Sequence, residues 1–360
     1  MTIKSTNEDA YFAASNSAKG FCSYYKECFD TPDVGRLYAI KGGPGTGKSR
    51  FMREVAECGA REGWQCEYIY CSSDPESLDG VILSKGEERI GLLDATAPHV
   101  YEPSRPGVRE ELLNLGEFWN VEALSRCAER IEALNQAKGA AYRRAYRFLC
   151  GVGEMETVKE ELAAAFIRRA ALSRYAQKLT RGIERGEEFF VRPALMRSVG
   201  MQGEVGFDTY CALAESLFLV EDCRGAAQYL MAELLRTASE KQTPVRISHD
   251  PILSHRVDAI FFIKERIAFV IEAEDLPFYP CHRISTRRFV DTAGFGAVRG
   301  EYNYAHRISQ GLLEGAVEAL EEARRLHFAL EEIYVAAMDF AEKEKFTKRF
   351  CSRLFGLQNE

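Results

Sequence analysis

The run Gly42-Gly43-Pro44-Gly45-Thr46-Gly47-Lys48-Ser49 limits what this chain can fold into more than any other stretch, because it matches G-x-x-x-x-G-K-[ST] at every fixed position. A loop of that kind needs a strand before it and a helix after it. Residues 36–40 are β-prone, and residues 49–60 carry Phe51, Met52, Val55 and Ala56 at helical spacing, so the predicted order is strand, glycine loop, helix. Glycines let consecutive backbone N–H groups turn inward toward phosphate oxygens, and the helix start adds the positive end of its dipole. In that geometry Lys48 reaches the β- and γ-phosphates and the Ser49 hydroxyl binds Mg2+. ATP and Mg2+ are the expected ligands, held by Gly42, Gly43, Pro44, Gly45, Thr46, Gly47, Lys48 and Ser49.

A magnesium ion on Ser49 needs a carboxylate at the end of a neighbouring strand. Asp94, which ends the apolar run Ile90-Gly91-Leu92-Leu93, is the candidate; the competing reading is an aspartate that only caps the next turn. Residues 66–71 alternate like a second strand, and Asp74 and Asp79 follow it, where they could position an attacking water or take the proton of a substrate hydroxyl. Turn or cap roles compete for both. His99 is a candidate proton carrier or phosphate contact, and Arg105 and Arg109 are candidates for neutralising transition-state charge, each against a structural alternative.

At 360 residues and 46% hydrophobic, the chain has room for two domains. With Lys+Arg 47 against Asp+Glu 54 its net charge is -7, which excludes a dedicated nucleic-acid coat protein. The 11 cysteines include no C-x-x-C pair, so neither a zinc site nor a disulfide framework is expected, and reduced cytoplasm is the expected compartment. Residues 1–10 lack an apolar signal core and residues 259–273 are interrupted by Lys264, Glu265 and Arg266, so no membrane partner is expected. No [NT]-K-x-D run follows the loop, which favours ATP over GTP. Ala95, not an acidic residue, follows Asp94, so fast hydrolysis is not expected.

The chain also repeats itself. Asp74-Pro75 recurs as Asp250-Pro251, Asp79 as Asp258, Glu88-Arg89 as Glu265-Arg266, and Leu93-Asp94-Ala95 as Ile271-Glu272-Ala273, at a nearly constant offset. Tyr38-Ala39-Ile40 matches Phe218-Leu219-Val220. Beyond Asn120 the pattern is helical, broken at Gly151 and Gly153 and resumed over 157–179, which predicts an antiparallel helical pair attached to the first lobe. Residues 312–346 supply the like segment of the second half. At the second loop position the chain reads Val220-Glu221-Asp222-Cys223-Arg224-Gly225-Ala226-Ala227, with no lysine and two acids that repel a triphosphate, so the second lobe is read as a dead copy.

The residues 40–49, Cys71-Ser72-Ser73-Asp74-Pro75, Asp94-Ala95-Thr96-Ala97-Pro98-His99 and Asn114-Leu115-Gly116-Glu117-Phe118-Trp119 together resemble an uncharacterised family of bacterial tandem P-loop ATP-binding proteins. The resemblance is close over most of the first half and loose over the second. It implies two α/β P-loop NTPase-like lobes, often with a phosphate loop in each, and an ATP site without a named substrate. The expected architecture is then α/β: lobes at 1–182 and 183–360, each a parallel sheet flanked by helices with an added long helical segment. The expected activity is Mg-ATP binding with slow or partner-stimulated hydrolysis in the first lobe. The alternatives are a small-molecule or nucleotide kinase with Asp74 or Asp79 as base, and an ATP-gated module whose helices over 121–179 and 312–346 bind a protein partner.

Overall fold

The computed structural model describes residues 2–4, 8–99, 101–273 and 275–357. The first half runs β1 (Thr2–Lys4), β2 (Asp9–Phe12), β3 (Ala14–Ser17), β4 (Gly20–Ser23), α1 (Tyr25–Phe29), β5 (Arg36–Lys41), α2 (Lys48–Arg61), β6 (Gln65–Tyr70), β7 (Leu78–Lys85), β8 (Glu88–Asp94), β9 (Glu110–Asn114), α3 (Val121–Ser125), α4 (Ala128–Ala164) and α5 (Arg169–Leu179). The second runs β10 (Val191–Pro193), β11 (Arg197–Gly200), β12 (Gly203–Phe207), α6 (Thr209–Leu213), β13 (Ser216–Glu221), α7 (Ala226–Glu240), β14 (Val245–His249), β15 (Val257–Phe262), β16 (Ile267–Ile271), β17 (His282–Ser285), α8 (Arg299–Ala336) and α9 (Phe340–Phe355). No helix among the described residues is long and apolar enough to cross a membrane.

Each half builds one six-stranded sheet, in the order β2-β6-β7-β8-β5-β9 and β10-β14-β15-β16-β13-β17. The chain is an α/β protein of two similar sheet lobes. β5 is apolar along its length because both faces are covered: Tyr38 and Ile40 pack with Phe51, Met52 and Val55 of α2, while Leu37 and Ala39 face the opposite core. The sheets are mixed, not parallel throughout as expected. β7 and β15 run antiparallel to both neighbours, because β7 turns into β8 at Gly86 (φ 62) with no room for a crossover helix. The repeat also needs one shift. Asp94 lies opposite Ile40 and Ile271 opposite Val220, so Ile271, not Glu272, holds the place of Asp94 in the second half.

The halves meet at the sheet edges, where Phe12 of β2 forms an isolated antiparallel bridge with Leu195, just beyond β10, with N···O distances of 2.8 and 2.9 Å. Asp9 stands opposite Glu67 on the first side, and Arg192 opposite Arg246 on the second. A carboxylate pair therefore faces a guanidinium pair. Arg246 Nη1 reaches both Asp9 oxygens at 2.8 Å, Arg192 Nη2 lies 2.6 Å from Glu67 Oε2, and Arg89 Nη2 lies 2.8 Å from Glu67 Oε1. Burial opposes ionisation of Glu67, but Arg192, Arg246 and Arg89 outweigh it and hold its carboxyl down at about 2.

The long helices exchange between halves. α4 runs through Gly151 and Gly153 without a break and pairs antiparallel with α8, not with α5 as expected. The glycines permit the close approach: a side-chain carbon on Gly151 would lie 3.0 Å from Leu312 Cδ1, and one on Gly315 would lie 3.0 Å from Phe148. α5 then packs on α7 of the second half through Leu172 and Ala176, and α9 returns to α2, with Phe350 and Phe51 rings 5.2 Å apart. Backbone bonds fasten both crossings, Asn120 N to Ala337 O at 2.7 Å and Arg168 N to Phe289 O at 2.8 Å. Each six-stranded sheet is thus finished by a helix from the other half.

Two outcomes follow from this joint. Fragments 1–182 and 183–360, expressed apart, are expected to lack cooperative unfolding and to recover it on mixing; a monomeric, cooperatively folding first fragment would contradict the exchange. Glu67→Gln leaves Arg192 and Arg246 undercompensated and is expected to cost about 3 kcal/mol in urea unfolding.

Candidate functional site

β5 ends at Lys41 and α2 begins at Lys48, with the glycine run between them as the sequence predicts. Gly47 caps α2 with φ 74, in the left-handed region that glycine enters without strain. Thr46 Oγ1 donates to the Gly43 carbonyl at 3.0 Å and closes the loop on itself. Lys48 Nζ folds back into the loop, donating to the carbonyls of Gly42 and Gly43 at 2.9 Å each, and lies 3.4 Å from Asp94 Oδ2. The end of β8 is stitched to the same loop: the Thr96 N–H donates to Asp94 Oδ1 at 2.8 Å, and Thr96 Oγ1 donates to the Gly42 carbonyl at 2.8 Å. Burial pushes the Asp94 carboxyl up, Lys48 offsets this, and Asp79 adds to it.

Ser49 Oγ accepts the Leu78 N–H at 2.8 Å, which leaves its proton and second lone pair. In the second half Gln228 Oε1, one residue further along its helix, accepts the Val257 N–H at 3.0 Å, so a side-chain bond ties the helix to the hairpin strand in both. Asp74 is engaged in its own turn, accepting from Ser77 Oγ at 2.9 Å, much as Asp250 accepts from Leu253 N at 2.7 Å.

Asp79 lies within β7, buried, and not in the turn where the sequence reading put it. Its Oδ2 is 3.0 Å from His99 Nε2, and the His99 ring packs against Tyr25 at 4.6 Å and Phe21 at 5.1 Å. Cys71 Sγ joins them, the three potential ligand atoms lying within 4.8 Å of one another. Burial drives the Cys71 thiol well above its usual range, so the cysteine is a neutral thiol. Burial works against charge on His99, but Asp79 overcomes it and the imidazole is raised; Asp79, likewise opposed by burial, is held down by His99. Each partner thus favours the charged form of the other. The second half solves the same problem with Arg197, whose Nε donates to Asp258 at 2.9 Å. Arg109 is committed to structure, donating to the carbonyls of Val34, Phe29 and Thr31 at 2.9, 3.1 and 3.0 Å, and Arg105 is exposed.

What sequence reasoning missed is the roof. The C-terminal end of α8 lies on the loop, so that a side-chain carbon on Gly45 (φ 70) would come 2.8 Å from Val335 Cγ2 and 3.0 Å from the Glu331 carbonyl oxygen. Tyr334 packs on Trp119 at 5.3 Å, and Trp119 in turn covers Gly43. No local pattern marks these residues, because their partner loop lies in the other repeat.

The second loop is shorter and closed by its own carboxylate. Asp222 accepts from the N–H groups of Gly225 at 2.9 Å and Ala227 at 2.8 Å, filling the α7 N-terminus where an anion would bind. Arg224 turns away onto Phe295 and Tyr302, at 4.8 and 4.6 Å. Comparison of the chain with protein-family models, curated proteins and solved structures gives no match.

The Asp79–His99 pair makes stability depend on pH with a definite sign. Since His99 is raised above its ordinary 6.5, its contribution is complete below that value and is lost as pH climbs through the folded-state value. Asp79, held below 3.8, contributes above that value and fails only in acid. His99→Gln is expected to cost about 3 kcal/mol near pH 6 and clearly less near pH 9 in denaturant titrations. An equal cost at both would mean a neutral histidine.

Proposed function

We propose that the first half binds Mg-ATP in the loop at residues 42–49 and hydrolyses it slowly or when a partner stimulates it, while the second half holds no nucleotide. The observation that carries this reading is the ammonium of Lys48 inside a glycine loop at a strand-to-helix junction, with the half-buried Asp94 beside it. On binding, Lys48 would exchange the Gly42 and Gly43 carbonyls for β- and γ-phosphate oxygens, a charge-assisted contact. The backbone N–H groups of Gly43 and of residues 45–48, Pro44 having none, and the dipole of α2 would hold the remaining oxygens. Ser49 Oγ and Asp94 would supply oxygen donors of the kind Mg2+ prefers, and a half-buried carboxyl whose proton affinity is raised gains from a dication. Mg2+ there supplies neutralisation of the phosphate oxygens.

A kinase with Asp74 or Asp79 as base finds less support, since Asp74 is held by Ser77 and Asp79 by His99. The contact between α8 and the loop favours an ATP-gated interaction module as the second reading, because a ligand in the loop would bear on the helix pair α4/α8.

Calorimetric titration of the full chain is expected to give one Mg-ATP per chain. Lys48→Ala should weaken binding about 100-fold, the effect of a lost charge-assisted bond of ~3 kcal/mol. Arg224→Ala should leave it unchanged. Undiminished binding in Lys48→Ala would remove the assignment, and two nucleotides per chain would contradict a closed second site.

A further inference from the structure

The carboxylates near the loop can be accounted for one by one. Asp94 faces Lys48 and Thr96, Asp79 faces His99, and Asp74 faces Ser77. Glu331 on α8 is different: among the described residues its side chain has no hydrogen bond and no ion pair, although its Cγ lies 3.1 Å from where a side-chain carbon on Gly45 would sit. It is half-buried, and burial followed by the like charge of Asp74 raises its carboxyl while Lys48 pulls the other way. The same two residues act on His327, one turn earlier on α8, so this helix end shares the field of the phosphate loop. Packing does not need Glu331, because Leu330 is buried, Tyr334 sits on Trp119 and Val335 sits on Gly45. The first half, meanwhile, carries Ala95 after Asp94 and has no acid there to activate water.

We propose that Glu331, delivered by the second repeat, is the catalytic base for ATP hydrolysis in the first. The inference rests on the Mg-ATP reading of the loop. Water hydrogen-bonded to the Glu331 carboxylate attacks the γ-phosphorus and gives its proton to that carboxylate. The bond from the γ-phosphorus to the β–γ bridging oxygen breaks with its electron pair on ADP. The products are ADP, inorganic phosphate and one proton, which Glu331 returns to solvent. This also gives the second repeat a reason to keep its fold with its own loop closed: its α8 completes a site it does not contain.

The test uses the full chain, with Mg-ATP binding read by calorimetry and hydrolysis read in single-turnover mixing. Glu331→Gln is expected to bind ATP within about threefold of the parent and to hydrolyse it at least 100-fold more slowly, in the range for loss of a general base. The parent rate should fall as pH drops through a value above the ordinary glutamate 4.5, and the Gln variant should lose that limb. Glu331→Ala should regain part of its rate with added formate, a rescue that a purely structural role does not allow. Unchanged turnover in Glu331→Gln, or ATP bound by the parent without any turnover, overturns the inference and leaves the binding site standing. A parent chain that binds no ATP overturns the Mg-ATP reading itself, and the inference with it.

Discussion

Two like-charged cross-strand pairs meet at the centre of this molecule, Asp9 with Glu67 and Arg192 with Arg246. Within either half alone such a pair is repulsive, and largely buried charge without a counter-charge is strongly unfavourable. Brought together, the four form an interlocked set in which Glu67 receives Arg192 and Arg89, and Asp9 receives Arg246. Acid against base also fixes which half can join which. A first half cannot pair with its own copy at this edge, so the joint directs assembly within one chain, and the Phe12–Leu195 bridge sets its register.

The exchange of helices is a consequence of that placement. With the sheet edges joined, α4 and α8 leave their own lobes side by side, and each is followed by a short helix over the other lobe's sheet. The apolar side of α2 is covered by Phe346 and Phe350 of α9, and that of α7 by Leu172 and Ala176 of α5. The first glycine loop is consequently walled by residues from the end of the chain. The symmetry that builds the two lobes is broken at the loops. One has glycines and a lysine at the helix start; the other fills its helix start with the Asp222 carboxylate.

Much of this was legible beforehand where the determinants are local. The glycine loop specifies its own strand and helix, since an inward curl of N–H groups needs glycine at left-handed positions such as Gly45 and Gly47. The repeated Asp-Pro turn and the hairpin aspartates Asp79 and Asp258 exposed the duplication. Other features were not legible. Gly151 and Gly153 looked like helix breakers because close packing against Leu312 and Ala18 has no trace in the local pattern. Asp79 looked like a turn residue because a two-residue hairpin put β7 where a crossover was expected. Comparing the aligned repeats for opposite charge, Asp9 and Glu67 against Arg192 and Arg246, was the one available signal for the joint.

The sequence by itself determined two α/β lobes of one design, a glycine-rich strand-to-helix loop in the first and an acidic replacement in the second, because backbone curvature and helix-end charge act over a few residues. Only the tertiary structure decided that α9 finishes the first lobe and α5 the second, and that Glu331 lies against Gly45 of the loop. An amphipathic helix carries an apolar face but no record of which sheet will cover it; that choice is made by the buried charges at the joint, which act between segments far apart in the chain.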